Sequence, residues 1–369
     1  MCHYSIFSII SGHSNLNILV LLVQVRDLLK MVAEEWIPNC SMDLTSHEVS
    51  LCFSGLQRMR SSHHQVRLVV MALTSSLMNC FETFSALEMS RLVSGVQICE
   101  ANHPELQRRL ITVIMSKLRY CSTLSSGDEN LTVPLFSRAV AGLRNVDSQN
   151  AEGSRLLKRL LRYLHSKAGS SVLQFSPYDV SLCLNGVRNF NTSDKPVQTL
   201  LQTIASGVIY SNDSQWTTSV VCDLLGQMGN LSLSSREAEV CSLLAAVTNK
   251  LRVAISINPI TDREIGQAMC SLRHMNSDSP EVLALLGVLS EALEGDGTSG
   301  NLACSPPPLS SLSAITWCRG KSFGDTLRGL RNISAQCPEV RNFIDLNNLL
   351  THFTSEYRLI GFCRHFRNI

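Results

Sequence analysis

Long polar side chains recur at one register of this 369-residue chain: Gln57, Gln97, Arg144, Arg188, Arg273 and Arg331. The next position holds Arg58, Asn145, Asn189, His274 or Asn332, with Ile98 the exception; Asn230 fills it in the one copy that lacks the long side chain. Guanidinium and amide groups in such a row can hydrogen-bond phosphates or base edges of single-stranded RNA, or clamp an extended peptide. The same residue types also satisfy the free carbonyls and the negative pole at the carboxyl end of a helix, a reading under which the row is structural. The candidate binding ladder is Gln57, Gln97, Arg144, Asn145, Arg188, Asn189, Arg273, His274, Arg331 and Asn332.

A second basic cluster, Arg155, Lys158, Arg159 and Arg162, falls at i, i+3, i+4 and i+7, on one side of a helix, with Arg108 and Arg109 earlier in the chain. It could meet phosphate. Base-stacking aromatics are scarce around it, with only Tyr120 and Tyr163 nearby, which suits a solvated helix face better.

Reaction chemistry finds no comparable footing. There is no Cys-x-x-Cys and no His-x-x-x-His, and Cys363 with His365 stands alone, so no metal site is expected. Gly320-Lys321-Ser322 ends like a phosphate-binding loop but has no glycine-rich lead-in. Gly295, Gly297 and Gly300 match a dinucleotide fingerprint, yet a helical pattern precedes them and Pro306-Pro307-Pro308 follows, which describes a linker. No nucleophile elbow or zinc-protease motif occurs. No catalytic residue, cofactor or small-molecule substrate is assigned, and the chain is read as non-enzymatic.

The elements that must position the ladder come from an internal repeat. Leu51–Met59 recurs as Arg91–Cys99, Arg138–Val146, Leu182–Phe190, Asp223–Leu231, Gln267–Met275 and Asp325–Ile333. Successive copies end 40, 47, 44, 41, 44 and 58 positions apart, a period near 44. Each copy has helical spacing, as in Phe53, Leu56 and Met59, and a polar turn leads into a second apolar helical stretch. In the turn before residue 282, Ser279 is expected as N-cap, Pro280 as the first helical residue and Glu281 as complement to the positive pole. Each unit is thus helix A, turn, helix B.

A glycine recurs inside helix A (Gly55, Gly95, Gly142, Gly186, Gly329), where it costs about 1 kcal/mol against Ala. The residue before the register is small in most copies: Ser54, Ser94, Ala141, Gly226, Cys270. Close approach of stacked backbones would offset that cost. The expected fold is all-α, a right-handed α-solenoid of about seven two-helix repeats.

Residues 1–43 read as a leading helix or partial repeat, 44–293 as repeats one to six, 294–313 as a flexible Gly/Ser/Pro-rich loop, and 314–369 as the last repeat with a truncated end. Val20–Trp36 resembles a helix B without its helix A, and the chain stops soon after an apolar segment, so a fragment of a longer array is expected.

Composition narrows the function classes. With 44% hydrophobic and 17% charged residues the chain can bury a core, and wholesale disorder is excluded. A formal charge of +2 gives no global pull toward nucleic acid or an anionic membrane. The 14 cysteines are dispersed, several at apolar helix positions such as Cys52, Cys183 and Cys241, which points to free thiols in an intracellular, reducing compartment. The apolar run Leu16–Val25 is too short to span a bilayer, no Lys or Arg precedes it, and it reads as an ordinary buried helix.

At Asp179-Val-Ser-Leu-Cys-Leu-Asn-Gly-Val-Arg-Asn-Phe190 the sequence resembles the octotricopeptide repeats and the leucine-rich region of FAST-kinase-like proteins. The shared grammar is an acidic residue, an apolar step, a small residue and a terminal hydrophobe, and it extends over roughly residues 44 to 350. The resemblance implies a non-catalytic RNA binder of a mitochondrion or chloroplast. Near-zero net charge and 6% aromatic content point instead to a protein or peptide partner. Three functions stay open: an RNA-binding scaffold, a protein–protein interaction scaffold, and the repeat segment of a larger enzyme. No membrane partner is expected.

Overall fold

The computed structural model describes residues 18–39, 44–124, 131–168, 173–230, 237–276 and 278–295, with isolated positions between 329 and 341. Among them the chain is all-helical, with thirteen α-helices and no strand. The helices are α1 (Ile18–Met31), α2 (Ser46–Leu56), α3 (His64–Asn79), α4 (Ala86–Gly95), α5 (Pro104–Leu124), α6 (Val133–Ala141) and α7 (Ala151–Ala168). They continue with α8 (Pro177–Gly186), α9 (Lys195–Ile209), α10 (Thr218–Asn230), α11 (Ala238–Ile257), α12 (Asp262–Cys270) and α13 (Pro280–Gly295). A π-helical turn, Val32–Trp36, extends α1. Arg331, Asn332, the Gly320-Lys321-Ser322 triplet, Cys363, His365 and nearly all of the 294–313 and 314–369 segments lie outside the described residues.

Helix A begins in the same way in several copies. Thr45 with Glu48, Ser85 with Glu88 and Thr261 with Glu264 form capping boxes, each hydroxyl accepting from the Glu amide while the carboxylate accepts from the cap amide. Ser176 and Asp179 make the same reciprocal pair at the start of α8. Past the cap, an apolar stripe turns inward: Phe53 and Leu56, Leu92 and Val96, Phe136 and Leu143, Val180 and Val187 are all buried. A large apolar side chain fully buried in this way contributes roughly 1.5–3 kcal/mol. Helix B is amphipathic, most plainly in α7, where Leu156, Leu157, Leu160, Leu161 and Leu164 are buried while Arg155, Lys158 and Arg162 are exposed.

The contacts divide the chain into two units. Unit 1 holds residues 1–169 and 185–191. In it α2 packs on α4 and α4 on α6, while α1, α3, α5 and α7 pack each on the next in a second row. The hairpin partners α2 and α3, α4 and α5, and α6 and α7 join the rows. Unit 2 holds residues 170–184 and 192–369. There α10 packs on α12, the B helices α9, α11 and α13 pack in sequence, and α10 meets α11. By length and composition α11 could cross a bilayer; half of its apolar window is buried, and it packs between α9 and α13.

Glycine lets the A helices touch backbone to backbone. A Cβ on Gly142 would lie 2.2 Å from the Val93 carbonyl oxygen, and one on Gly186 would lie 2.1 Å from that of Val140. Gly329 stands in the same relation to Met269, at 2.1 Å, and a Cβ on Gly95 would meet both the Cβ and the ring edge of Phe53 at 2.9 Å. In the fifth copy the close approach falls on Gly229, whose Cβ would lie 2.1 Å from the Cys270 oxygen. Gly226, in the small-residue register, leaves ordinary van der Waals room at 3.4 Å.

The B helices are tied by cations reaching back one helix. Lys117 in α5 donates to the Met78 and Cys80 carbonyls at the end of α3, at 3.0 and 2.5 Å. Arg159 in α7 donates to Met115 O of α5 at 2.6 Å, so this member of the basic cluster turns inward instead of joining a solvated face. Lys250 in α11 donates to Ser211 O at 2.8 Å and to Asp213 Oδ1 at 2.5 Å, with its ammonium 5.8 Å from the Trp216 ring centre. Cations at a helix carboxyl end satisfy the last carbonyls and oppose the dipole.

Candidate binding edge at the helix-A ends

In unit 1 the turns that close helix A are stitched to one another. Ser61 N donates to Ile98 O at 3.0 Å, and Glu100 N donates to Ser61 Oγ at 2.9 Å. Asn145 Nδ2 donates to Gln97 O at 2.5 Å. One copy later, Asn189 Nδ2 donates to Arg144 O at 2.7 Å, and Arg188 Nε donates to the same oxygen at 3.3 Å. Each asparagine thus caps the helix-A end of the preceding copy. Gln57 Nε2 donates to Ser94 Oγ, joining α2 to α4.

A second seam lies at the start of helix B. Gln107 Nε2 donates to Asn145 O at 3.1 Å and to Cys99 O at 3.3 Å, and Asn150 Nδ2 donates to Gln107 Oε1 at 2.9 Å. Arg67 donates to Ser61 O and Ser62 O at 2.8 and 3.0 Å. Three of the ladder's amides, Gln57, Asn145 and Asn189, are therefore engaged in holding successive turns in register, and Asn145 and Asn189 have their reach set by backbone carbonyls.

The guanidiniums are less occupied. That of Arg144 has no hydrogen-bond partner among the described residues and is half-buried. Partial burial holds it below the ordinary arginine range, and the positive charges of Arg188 and Arg60 push in the same direction. Arg188 is exposed, with only its Nε engaged. Arg60, just past the end of α2, has Glu100 as its ion-pair partner at 4.0 Å. Asp147, in the same row of turns, accepts from Ser148 Oγ and Gln149 N at 3.1 and 3.2 Å. Arg60 was not in the sequence-derived ladder; its signal is a basic residue five positions past the glycine register, where the next copies carry Glu100 and Asp147.

In unit 2, Arg273 and His274 occupy the 3₁₀ turn after α12, and Arg273 Nε donates to His274 Nε2 at 2.9 Å. This pair belongs to a different unit from Gln57, Gln97, Arg144, Asn145, Arg188 and Asn189. Of the described ladder, Gln57, Gln97, Arg144, Asn145, Arg188 and Asn189 are thus brought together in unit 1 over three successive seams.

The Cys99 thiol is pushed up to about 12 by burial, and burial also raises Cys222, Cys52 and Cys241, so these sulfurs stay protonated near neutral pH. Cys183 is buried, while Cys52 and Cys241 are half-buried. Among the described residues no three His, Cys, Asp or Glu groups gather in a metal-binding arrangement. Against protein-family models, curated proteins and solved structures, the chain matches none.

Proposed function

We propose that the chain is a non-catalytic binding scaffold, a right-handed α-solenoid of about seven two-helix repeats with a period near 44 residues, which takes single-stranded RNA along its helix-A ends. Packing of A on A (α2 on α4, α4 on α6, α10 on α12) and of B on B (α1, α3, α5 and α7 in one unit, α9, α11 and α13 in the other) supports the repeat reading, because stacked copies bury apolar stripes against one another. The observation that carries the partner is the stitched row of helix-A turns with the Arg144 guanidinium left without a hydrogen-bond partner beside the charges of Arg60 and Arg188. A polyanion supplies what such a row lacks. The test is retention of the full chain on immobilised single-stranded RNA as salt is raised. Retention near physiological salt is expected; passage without delay there transfers the proposal to a protein partner.

A protein–protein scaffold is the second reading. It draws on Ile209, Tyr210, Val253 and Ile257, exposed large hydrophobic residues at the carboxyl ends of the neighbouring helices α9 and α11.

A further inference from the structure

The amides and the guanidiniums of the helix-A ends have different freedom, and the difference bears on how a nucleic acid would be held. Asn145 and Asn189 are donors that could read a base edge, but both point at main-chain oxygens, Gln97 O and Arg144 O. Gln57 is turned to Ser94. What remains is the half-buried Gln97 amide and the positive charge of three arginines. Among the described residues, Arg144 has no hydrogen-bond partner and Arg188 has none at its two terminal nitrogens, while Arg60 stands 4.0 Å from its carboxylate. The stitched turns hold these three side chains on one edge of unit 1, through Ser61 N to Ile98 O, Asn145 to Gln97 and Asn189 to Arg144.

We propose that Arg60, Arg144 and Arg188 form a phosphodiester-binding edge that holds single-stranded RNA by its backbone and does not read its bases. The inference rests on the RNA reading above and adds the chemistry of contact. Guanidinium presents a planar fork of donors that matches two phosphate oxygens, so it suits this role better than ammonium would. A polymer with one negative charge on every backbone unit can meet cations contributed by separate turns without any matching of its sequence. An acidic peptide would need carboxylates placed to fit. Phe190, next in the chain to Asn189, is buried and so offers no face for base stacking.

The experiment uses the full chain and three labelled single strands of equal length: oligouridine, oligoadenosine and a mixed sequence. Fluorescence anisotropy gives their affinities over a salt series. The three affinities should agree within about threefold, and log affinity should fall with log salt at a slope of about −2, the value for three neutralised phosphates on a single strand. Arg60→Gln, Arg144→Gln and Arg188→Gln together should weaken binding at least about tenfold and flatten that slope. Arg252→Gln, on the exposed side of α11, should bind as the parent does. If the triple variant fails to fold, the Arg60→Gln and Arg188→Gln pair, both at exposed residues, should still weaken binding several-fold.

A folded triple variant that binds like the parent overturns the site while leaving the RNA reading intact. So does a preference above about tenfold for one sequence, since bases would then be read. A parent chain that binds none of the strands removes both readings. Tighter binding of oligoglutamate than of oligouridine overturns the assignment in favour of an acidic peptide.

Discussion

In unit 1 the seams between successive helix-A ends are bridged by side chains that donate to main-chain carbonyls, Asn145 to Gln97 and Asn189 to Arg144. In unit 2 the α10–α12 seam closes through Gly229 lying against Cys270 and Ser271, and Arg273 bonds to its own neighbour His274. The B helices show the reverse balance. Unit 2 buries a lysine, Lys250, between a carbonyl, a carboxylate and the Trp216 ring, where unit 1 uses Lys117 on carbonyls alone. One helix-on-helix plan thus tolerates several polar fastenings, provided the backbones can meet. Glycine is the common requirement; the hydrogen-bonding residues are local solutions.

Breaking the common requirement should have the largest effect. Gly186→Val puts a branched side chain against the Val140 carbonyl, which lies in backbone and cannot swing aside, so a loss of about 3 kcal/mol is expected in urea unfolding. Gly287, with nothing within 4 Å of its Cβ position, is the contrast: Gly287→Ala should gain about 0.5–1 kcal/mol from helix propensity. Similar losses at both sites would show that close approach is not what selects glycine.

Local fastenings should cost less. Lys250→Met removes a buried donor set but leaves Asp213 half in solvent, so about 2 kcal/mol is expected from the same measurement. Asn189→Ala removes a single amide-to-carbonyl bond at an exposed position, and a loss of about 0.5–1 kcal/mol is expected. A larger loss at Asn189 than at Lys250 would reverse the ranking of the two regions.

The smallest effect at neutral pH belongs to the buried thiols. Cys99 has its folded-state value raised to about 12, above the unfolded value, so its contribution is fully present below the ordinary thiol range and is lost as pH rises toward about 12. Unfolding free energy measured from neutral to alkaline pH should therefore decline more steeply for the parent than for Cys99→Ala. Parallel curves would mean that the thiol is not buried as described.

The two-helix unit is legible in the sequence because apolar spacing and glycine recur together, and both record contact with a neighbouring copy. The capping boxes at Thr45, Ser85 and Thr261 are also legible, as Ser/Thr-x-x-Glu, and they extend a reading that took Asp179 only as part of a family resemblance. Ser279 is legible as the residue before a helix that begins at Pro280; that its hydroxyl donates to Glu281 Oε2 at 2.6 Å and holds that carboxyl below its ordinary range is not. Lys117 and Lys250 leave no sequence signal of their role, since their main-chain acceptors lie 37 to 39 positions away and carbonyls have no residue type. The ladder's register is readable, but whether an asparagine faces a carbonyl or a ligand depends on how far the next turn is shifted. Arg60 illustrates the same point, joining the edge from a position beyond the repeated segment.

The most direct test of stacked A helices is a double-mutant cycle between Phe53 in α2 and Gly95 in α4, both buried and meeting only if the two helices lie side by side. Gly95→Ala should be clearly destabilising when Phe53 is present and less so in the Phe53→Ala background, which removes the ring though not the Cβ, with a coupling of about 1 kcal/mol or more. Additive effects of the two substitutions would mean that residues 53 and 95 do not touch, and the stacking of successive copies would fall with them.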